Sequence, residues 1–205
     1  MKTERLPASA PNAIAHCVDI LKRGGVVAFP TDTVYGLGAL AFDPQGIERL
    51  YAIKGREHTK AIAVLIAEAA ELELITHSPS QVALHLARRF WPGPLTIVLP
   101  SNPKLPEALS PDNTIGVRVP NHEVARALLA AAGPMAVTSA NRSGQANTRT
   151  ANEVLEQLEE RVDLVLDGGQ TPGDTPSTVV DMTGEKPKVL RPGPVSEEEI
   201  LAALL

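Results

Sequence analysis

The chain has 205 residues, 43% of them apolar and 21% charged, with a net charge of −5. That composition suits a folded domain large enough to bury a core without disulfides or metals, and it argues against holding nucleic acid by a broad basic surface. The single cysteine, Cys17, excludes an intrachain disulfide and a Cys-cluster zinc site. No stretch approaches the roughly 18 apolar residues of a membrane span or forms a signal-peptide core, so a cytoplasmic protein without membrane contact is expected.

Ile14, Cys17, Val18 and Leu21 recur at helical spacing between Ser9–Pro11, which read as a cap with a first-turn proline, and Gly24-Gly25, which read as a stop. Val26 to Phe29 form a short strand that Pro30 breaks into a loop, TDTVYGLGAL. Asp43-Pro44 opens a second helix with Ile47, Leu50 and Tyr51 on one face and Lys54-Gly55-Arg56 at its end. AIAVLIA, residues 61 to 67, is short and apolar enough for a central strand. Ser78-Pro79 starts a helix that ends at Phe90-Trp91-Pro92. Strands follow at Leu95 to Leu99 and Ile115 to Val119, then a helix from Asn121 to Ala132 closed by Gly133. Met135 to Thr138 is a strand, and SANRSGQANT a polar loop. Thr150 with Glu153 and Ser196 with Glu199 spell two capping boxes, separated by apolar runs at Leu164 to Leu166, Thr178 to Val180 and Val189-Leu190. No repeat or linker divides the chain, so one α/β domain on a twisted mixed sheet is expected. Strict βαβ alternation fails near both ends, which calls for some antiparallel pairing.

Polar residues interrupt the strand and helix ends at Thr31-Asp32-Thr33, Lys54-x-Arg56, Arg118, Thr138-Ser139-Ala140-Asn141, Ser177 and Arg191. Ligands of open α/β sheets bind beyond strand ends, which makes these loops the first place to look. Lys54, Arg56, Arg118 and Arg191 each read alone as ordinary solvated charges; gathered together they would receive a highly charged anion, since the guanidinium fork matches carboxylate and phosphate. Val117-Arg118-Val119 is the sharpest case, because an arginine between two β-branched strand residues must face solvent or a polar cavity. Hydroxyls and amides at Thr138, Ser139, Asn141 and Ser177 either complete such a site or cap turns, and Asp32 reads as a loop cap ahead of a magnesium ligand. No GxxxxGK[ST] occurs. Gly36-Leu-Gly38-Ala-Leu-Ala41 fits GxGxxA, but Phe42-Asp43-Pro44 follows where a long helix should continue. Those glycines read instead as a tight backbone path near a ligand.

FPTDTVYGLGALAFD, YAIKGR, WPGPLTIVL, GVRVPNH, TSANRSG, PSTVVD and VLRPGP, in that order from about Gly24 to Pro194, resemble the motifs of the YrdC-like threonylcarbamoyl-AMP synthases. The resemblance implies a YrdC-like α/β fold with a deep cationic cavity, where ATP with Mg²⁺, bicarbonate and L-threonine meet and pyrophosphate leaves. It assigns Thr31, Arg56, Arg118 and Thr138 to threonine and Lys54, Ser139, Asn141, Ser177 and Arg191 to the nucleotide, with Lys54 and Arg56 also catalytic. It further implies threonylcarbamoyl-transferase machinery downstream, acting on transfer RNA, and leaves direct RNA contact open. Two positions depart from the family pattern: Ala61 follows Lys60 where proline is usual, and Leu65 stands where some members carry histidine. Longer members add a second domain, and this chain resembles the short, single-domain branch. The rival readings are another carbamoyl-adenylate chemistry and an RNA-binding module using the same cavity.

Overall fold

In a computed structural model that describes residues 2–184 and 186–204, the chain runs β1 (Glu4–Pro7), α1 (Ala13–Lys22), β2 (Val27–Phe29), β3 (Gly36–Leu40), α2 (Pro44–Lys54), β4 (Ala63–Leu65), α3 (Leu72–Ile75), α4 (Gln81–Phe90), β5 (Leu95–Pro100), β6 (Thr114–Arg118), α5 (Glu123–Ala132), β7 (Met135–Ser139), α6 (Ala151–Leu158), β8 (Leu164–Asp167), β9 (Thr178–Asp181), β10 (Lys188–Arg191) and α7 (Glu197–Ala202). All ten strands join one sheet in the order β1-β8-β2-β3-β7-β4-β6-β5-β9-β10. The β1/β8, β2/β8, β4/β6 and β5/β9 pairs are parallel. The β2/β3, β3/β7, β4/β7, β5/β6 and β9/β10 pairs are antiparallel, so antiparallel pairing runs through the middle of the sheet and its β10 end, while the β1 end is parallel.

Period-2 alternation sorts the strand side chains onto two faces. Ala28, Leu37, Val64, Ile97, Val117, Ala136, Val165 and Val180 point to one side, into a core completed by α2, α4, α6 and α7. Val27, Phe29, Leu65, Met135, Val137, Leu164 and Leu166 point to the other, under α1 and α5. This second core stops at β7 and β4. Beyond it, on β6, β5 and β9, the same face carries Thr114, Gly116, Arg118, Thr96, Val98 and Val179, and these, with Ser177 just ahead of β9, line a cavity instead of a helix.

Several local expectations change. Residues 36–40, read as loop for their glycines, form β3 between β2 and β7. A Cβ on Gly36 would stand 2.8 Å from Val137 Cγ1, and one on Gly38 would stand 2.8 Å from Met135 Cε and 3.0 Å from Phe29 Cε1. The glycines mark close packing over a strand, not a break in it. Asn12, in the left-handed region, is the N-cap of α1, so Ser9–Pro11 lie ahead of the helix. Ser80 rather than Ser78 caps α4 by accepting from the Ala83 N–H. β1 and α3 have no counterpart in the sequence reading. Both capping boxes form as the sequence spells them.

The helix that matters most for the site is α2. Asp43 accepts from the Gln45 N–H, Pro44 occupies the first turn, and Gly55 closes the helix at φ 61. The Gly55 N–H bonds Ala52 O at 3.3 Å and the Arg56 N–H bonds Tyr51 O at 3.0 Å, so the last turn is fixed before the chain leaves it. Asp43→Ala should lower the unfolding free energy by about 1 kcal/mol, the usual value of a side-chain N-cap, as read from urea denaturation.

Candidate functional site

The half-sheet that no helix covers forms the floor of a cavity of about 330 Å³. Alternate positions on successive strands build it: Ala63 and Leu65 on β4, Thr114, Gly116 and Arg118 on β6, Thr96 and Val98 on β5, and Val179 on β9. Its walls are the loop after β2 with Thr31 and Thr33, the loop after α2 with Arg56 and Ala61, the end of β7 with Thr138 and Ser139, and the segment around Ser177 and Arg191. Small floor residues make the space. A Cβ on Gly116 would already stand 3.0 Å from Thr96 Cγ2.

Arg118 anchors the floor. Its side chain is 6% exposed and pairs with Asp32, itself 11% exposed. Nη2 donates to Asp32 Oδ1 at 2.5 Å, Nη1 to Thr33 Oγ1 at 3.1 Å and Nε to the Gly93 carbonyl at 2.9 Å. Three of five N–H groups are thus committed, and two remain for a ligand. Asp32 also accepts the Asn121 N–H at 3.1 Å, so its carboxylate belongs to Arg118 and β6, not to a cap of its own loop. From Thr33 the bonding continues inward. Thr33 Oγ1 lies 3.1 Å from Thr31 Oγ1, which donates to the Val34 carbonyl at 2.7 Å and accepts the Thr33 N–H at 3.2 Å.

Arg56 reaches the cavity from the loop after α2. Its Nε donates to Lys60 O at 3.0 Å and its Nη2 to Ala61 O at 2.8 Å, so the guanidinium stiffens the loop that carries it. Arg191, across the opening, donates through Nε and Nη2 to the Ser177 carbonyl at 3.1 and 2.8 Å. Ser177 Oγ in turn lies 2.8 Å from Thr96 Oγ1. Burial holds Arg56, Arg118 and Arg191 below the ordinary guanidinium range; Arg56 adds repulsion at Arg191, and Arg191 adds it at Arg118, where Asp32 works in the opposite direction. Three like charges held this close are balanced best by an anion.

The structure therefore brings together Thr31, Arg56, Arg118, Thr138, Ser139, Ser177 and Arg191 around one space. Lys54 and Asn141 are not among the lining residues and stand one layer behind the wall. The Lys54 ammonium, on a residue 4% exposed, donates to the carbonyls of Ser139 at 2.5 Å and Asn141 at 2.9 Å, with Asn141 Oδ1 at 3.2 Å and Ser139 Oγ at 3.3 Å. Asn141 Nδ2 donates to the carbonyls of Arg142 and Gln145 and so folds the loop on itself. Thr33, in a segment the sequence singles out but with no role given there, also lines the cavity, as do Thr96, Asp112 and Thr114, which the sequence reading missed. Thr114 and Gly116 were within reach of it, since they precede Arg118 at intervals of two in one strand. Leu65 presents an apolar surface to the same space.

The fold is thus an α/β mixed sheet with one half-face left open over a cavity that hydroxyls and three arginines line. Residues 19–193 match the Sua5/YciO/YrdC family, described as "Telomere recombination". A Mycobacterium tuberculosis relative is 41% identical over 199 residues, covering 97% of this chain and 92% of its own. The threonylcarbamoyl-AMP synthase of Bacillus subtilis is 38% identical over 98% of this chain and 59% of its own length. The crystal structure of Pyrococcus abyssi Sua5 complexed with L-threonine superposes with a TM-score of 0.94 at 36% identity, covering 100% of this chain and 61% of that one. Escherichia coli YciO superposes at 0.86 with 31% identity, covering 97% and 98%. The chain belongs to the Sua5/YciO/YrdC family. It spans nearly the whole of the mycobacterial relative and about three-fifths of the Bacillus and Pyrococcus ones.

Two outcomes follow from the buried charges. Asp32→Ala leaves the Arg118 guanidinium buried without its counter-ion and should cost about 3–5 kcal/mol of stability, seen as a lower denaturation midpoint. Burial, reinforced by Arg56, pushes the Lys54 ammonium down to about 7 from 10.5. Above about pH 7 the folded state releases this proton while the unfolded chain still holds it, so unfolding takes up a proton and stability rises with pH until about 10.5. The slope from this group is at most about 1.4 kcal/mol per pH unit. Unfolding of the wild type at pH 7.0 and 8.5, set against Lys54→Met at the same two values, should show the rise in the wild type alone.

Proposed function

We propose that the protein is an L-threonylcarbamoyladenylate synthase, forming threonylcarbamoyl-AMP and pyrophosphate from L-threonine, bicarbonate or CO2, and ATP. The observation that carries this reading is the convergence of Arg56, Arg118 and Arg191 on one hydroxyl-lined cavity. It is supported by relatives named threonylcarbamoyl-AMP synthase and by the L-threonine complex of Pyrococcus abyssi Sua5. The substrates bring a carboxylate, a carbamate and a triphosphate, and the site supplies charge where they crowd together.

Threonine's amine takes up CO2 to give an N-carboxylate. One of its oxygens bonds to the α-phosphorus of ATP, the bond from that phosphorus to the bridging oxygen breaks, and pyrophosphate departs with the electron pair. Little proton transfer is needed at phosphorus, so holding the reactants in line and neutralising charge dominate. Arg118, with two uncommitted N–H groups in the floor, suits the amino-acid carboxylate. Arg56 and Arg191, nearer the opening, suit the phosphates. Mg²⁺ enters with ATP as part of the substrate. Among the described residues no group of three or more His, Cys, Asp or Glu is placed to hold a metal, and Asp112 is the one carboxylate residue lining the cavity. That donor set fits an ion held chiefly by phosphate oxygens and water.

The product is a mixed anhydride that a transferase must consume, on this reading at an adenosine of transfer RNA in the cytoplasm. Among the described residues no helix is long and apolar enough to cross a membrane. The test is direct. With ATP, bicarbonate and Mg²⁺, pyrophosphate should appear only when threonine is added, together with a threonylcarbamoyl-adenylate detectable by mass spectrometry. Pyrophosphate release that ignores threonine would refute the assignment.

A further inference from the structure

Lys54 presents a problem of proton count. Its ammonium has three protons, and four oxygens already surround it: Ser139 O, Asn141 O, Asn141 Oδ1 and Ser139 Oγ, at 2.5 to 3.3 Å. The backbone adds a second tie, because the Lys54 carbonyl accepts the Ser143 N–H at 3.0 Å. Reaching into the cavity would strip the ammonium from two carbonyls: that of Ser139 would keep the Asn141 N–H at 3.0 Å, but that of Asn141 would lose its bonded donor among the described residues.

Of the two residues bonded to the Lys54 ammonium, Ser139 lines the cavity and Asn141 does not, and Oγ is the side-chain atom through which Ser139 touches it. It accepts from the ammonium, and among the described residues its own O–H has no acceptor. A hydroxyl that accepts from a cation becomes the stronger donor, and its proton must point away from that cation. Here away means toward the cavity.

We propose that Lys54 is a positioning residue, which clamps the loop after β7 and fixes the Ser139 hydroxyl as a donor to a phosphate oxygen, without touching the phosphate itself. The inference rests on the reading that the cavity takes the phosphates of ATP. It makes two different devices of the charges at the end of α2 and just beyond its Gly55 cap: Arg56 meets the anion and Lys54 sets the wall.

The probe is inorganic tripolyphosphate on the intact protein. In a crystal of the wild type soaked with it, Lys54 Nζ should keep its bonds to the Ser139 and Asn141 carbonyls while Ser139 Oγ comes within hydrogen-bond distance of a phosphate oxygen. An ammonium swung onto the phosphate would overturn the proposal and leave the cavity assignment standing; failure of tripolyphosphate to bind at all would instead remove the assignment on which it rests. In solution, Ser139→Ala and Lys54→Gln should each weaken tripolyphosphate binding by about tenfold, and the double variant by little more than either alone. Losses that multiply to about a hundredfold would mean that the two residues contact the anion independently. Amide hydrogen exchange at Ser143 should rise in Lys54→Gln and stay unchanged in Ser139→Ala, which separates loosening of the loop from loss of a ligand contact. Should Lys54→Gln not fold, the wild-type crystal and Ser139→Ala decide the matter: full tripolyphosphate affinity in Ser139→Ala would overturn the proposal.

Discussion

The architecture turns on keeping one guanidinium inside a sheet. An ion buried this deeply costs several kcal/mol unless its protons and charge are matched, and removing either partner is worse than never having had the pair. Arg118 meets that demand by drawing in three separate stretches of chain: the loop after β2 through Asp32 and Thr33, the turn before β5 through the Gly93 carbonyl, and β6 itself. The Gly93 N–H returns a bond to Val119 O at 2.9 Å, so that turn is held by side chain and main chain together. One wall, the floor and the turn that leads into β5 are therefore tied together by one charge.

The second requirement is that nothing fill the space above it. Helices α1 and α5 cover the β1 side of this face and end at Leu65 and Val137, which belong both to their core and to the cavity's edge. Past that edge the alternate positions shrink and turn polar. The net charge of −5 is no obstacle to anion binding, because the positive field is made locally by three arginines facing one space.

How much of this could be read in advance differs by residue. Arg118 was legible because β-branched neighbours force a strand arginine to face something polar, and the structure places Val117 and Val119 in the opposite core. Asp43-Pro44, Gly133 and both capping boxes were legible because their chemistry is local. β3 was not, since a glycine that permits close packing and one that permits a turn look alike until the neighbouring strands are known. For Lys54 a sequence can show that a cation lies near a loop, but only the fold shows the four oxygens of Ser139 and Asn141 that surround its ammonium. Thr96 becomes a site residue through the register of β5 against β6, which no short motif encodes.

The hydroxyl row beside Arg118 has a fixed polarity. Thr31 gives its only proton to the Val34 carbonyl, so the proton between the two threonines must come from Thr33, whose own oxygen receives Arg118. Thr31 Oγ1 thereby has both lone pairs and its hydrogen occupied, the second lone pair by the Thr33 N–H. Its methyl carbon lies 3.6 Å from where a Cβ on Gly36 would stand, at the rim of the same space. With its hydroxyl fully engaged, Thr31 has only its methyl group left to offer the cavity it lines.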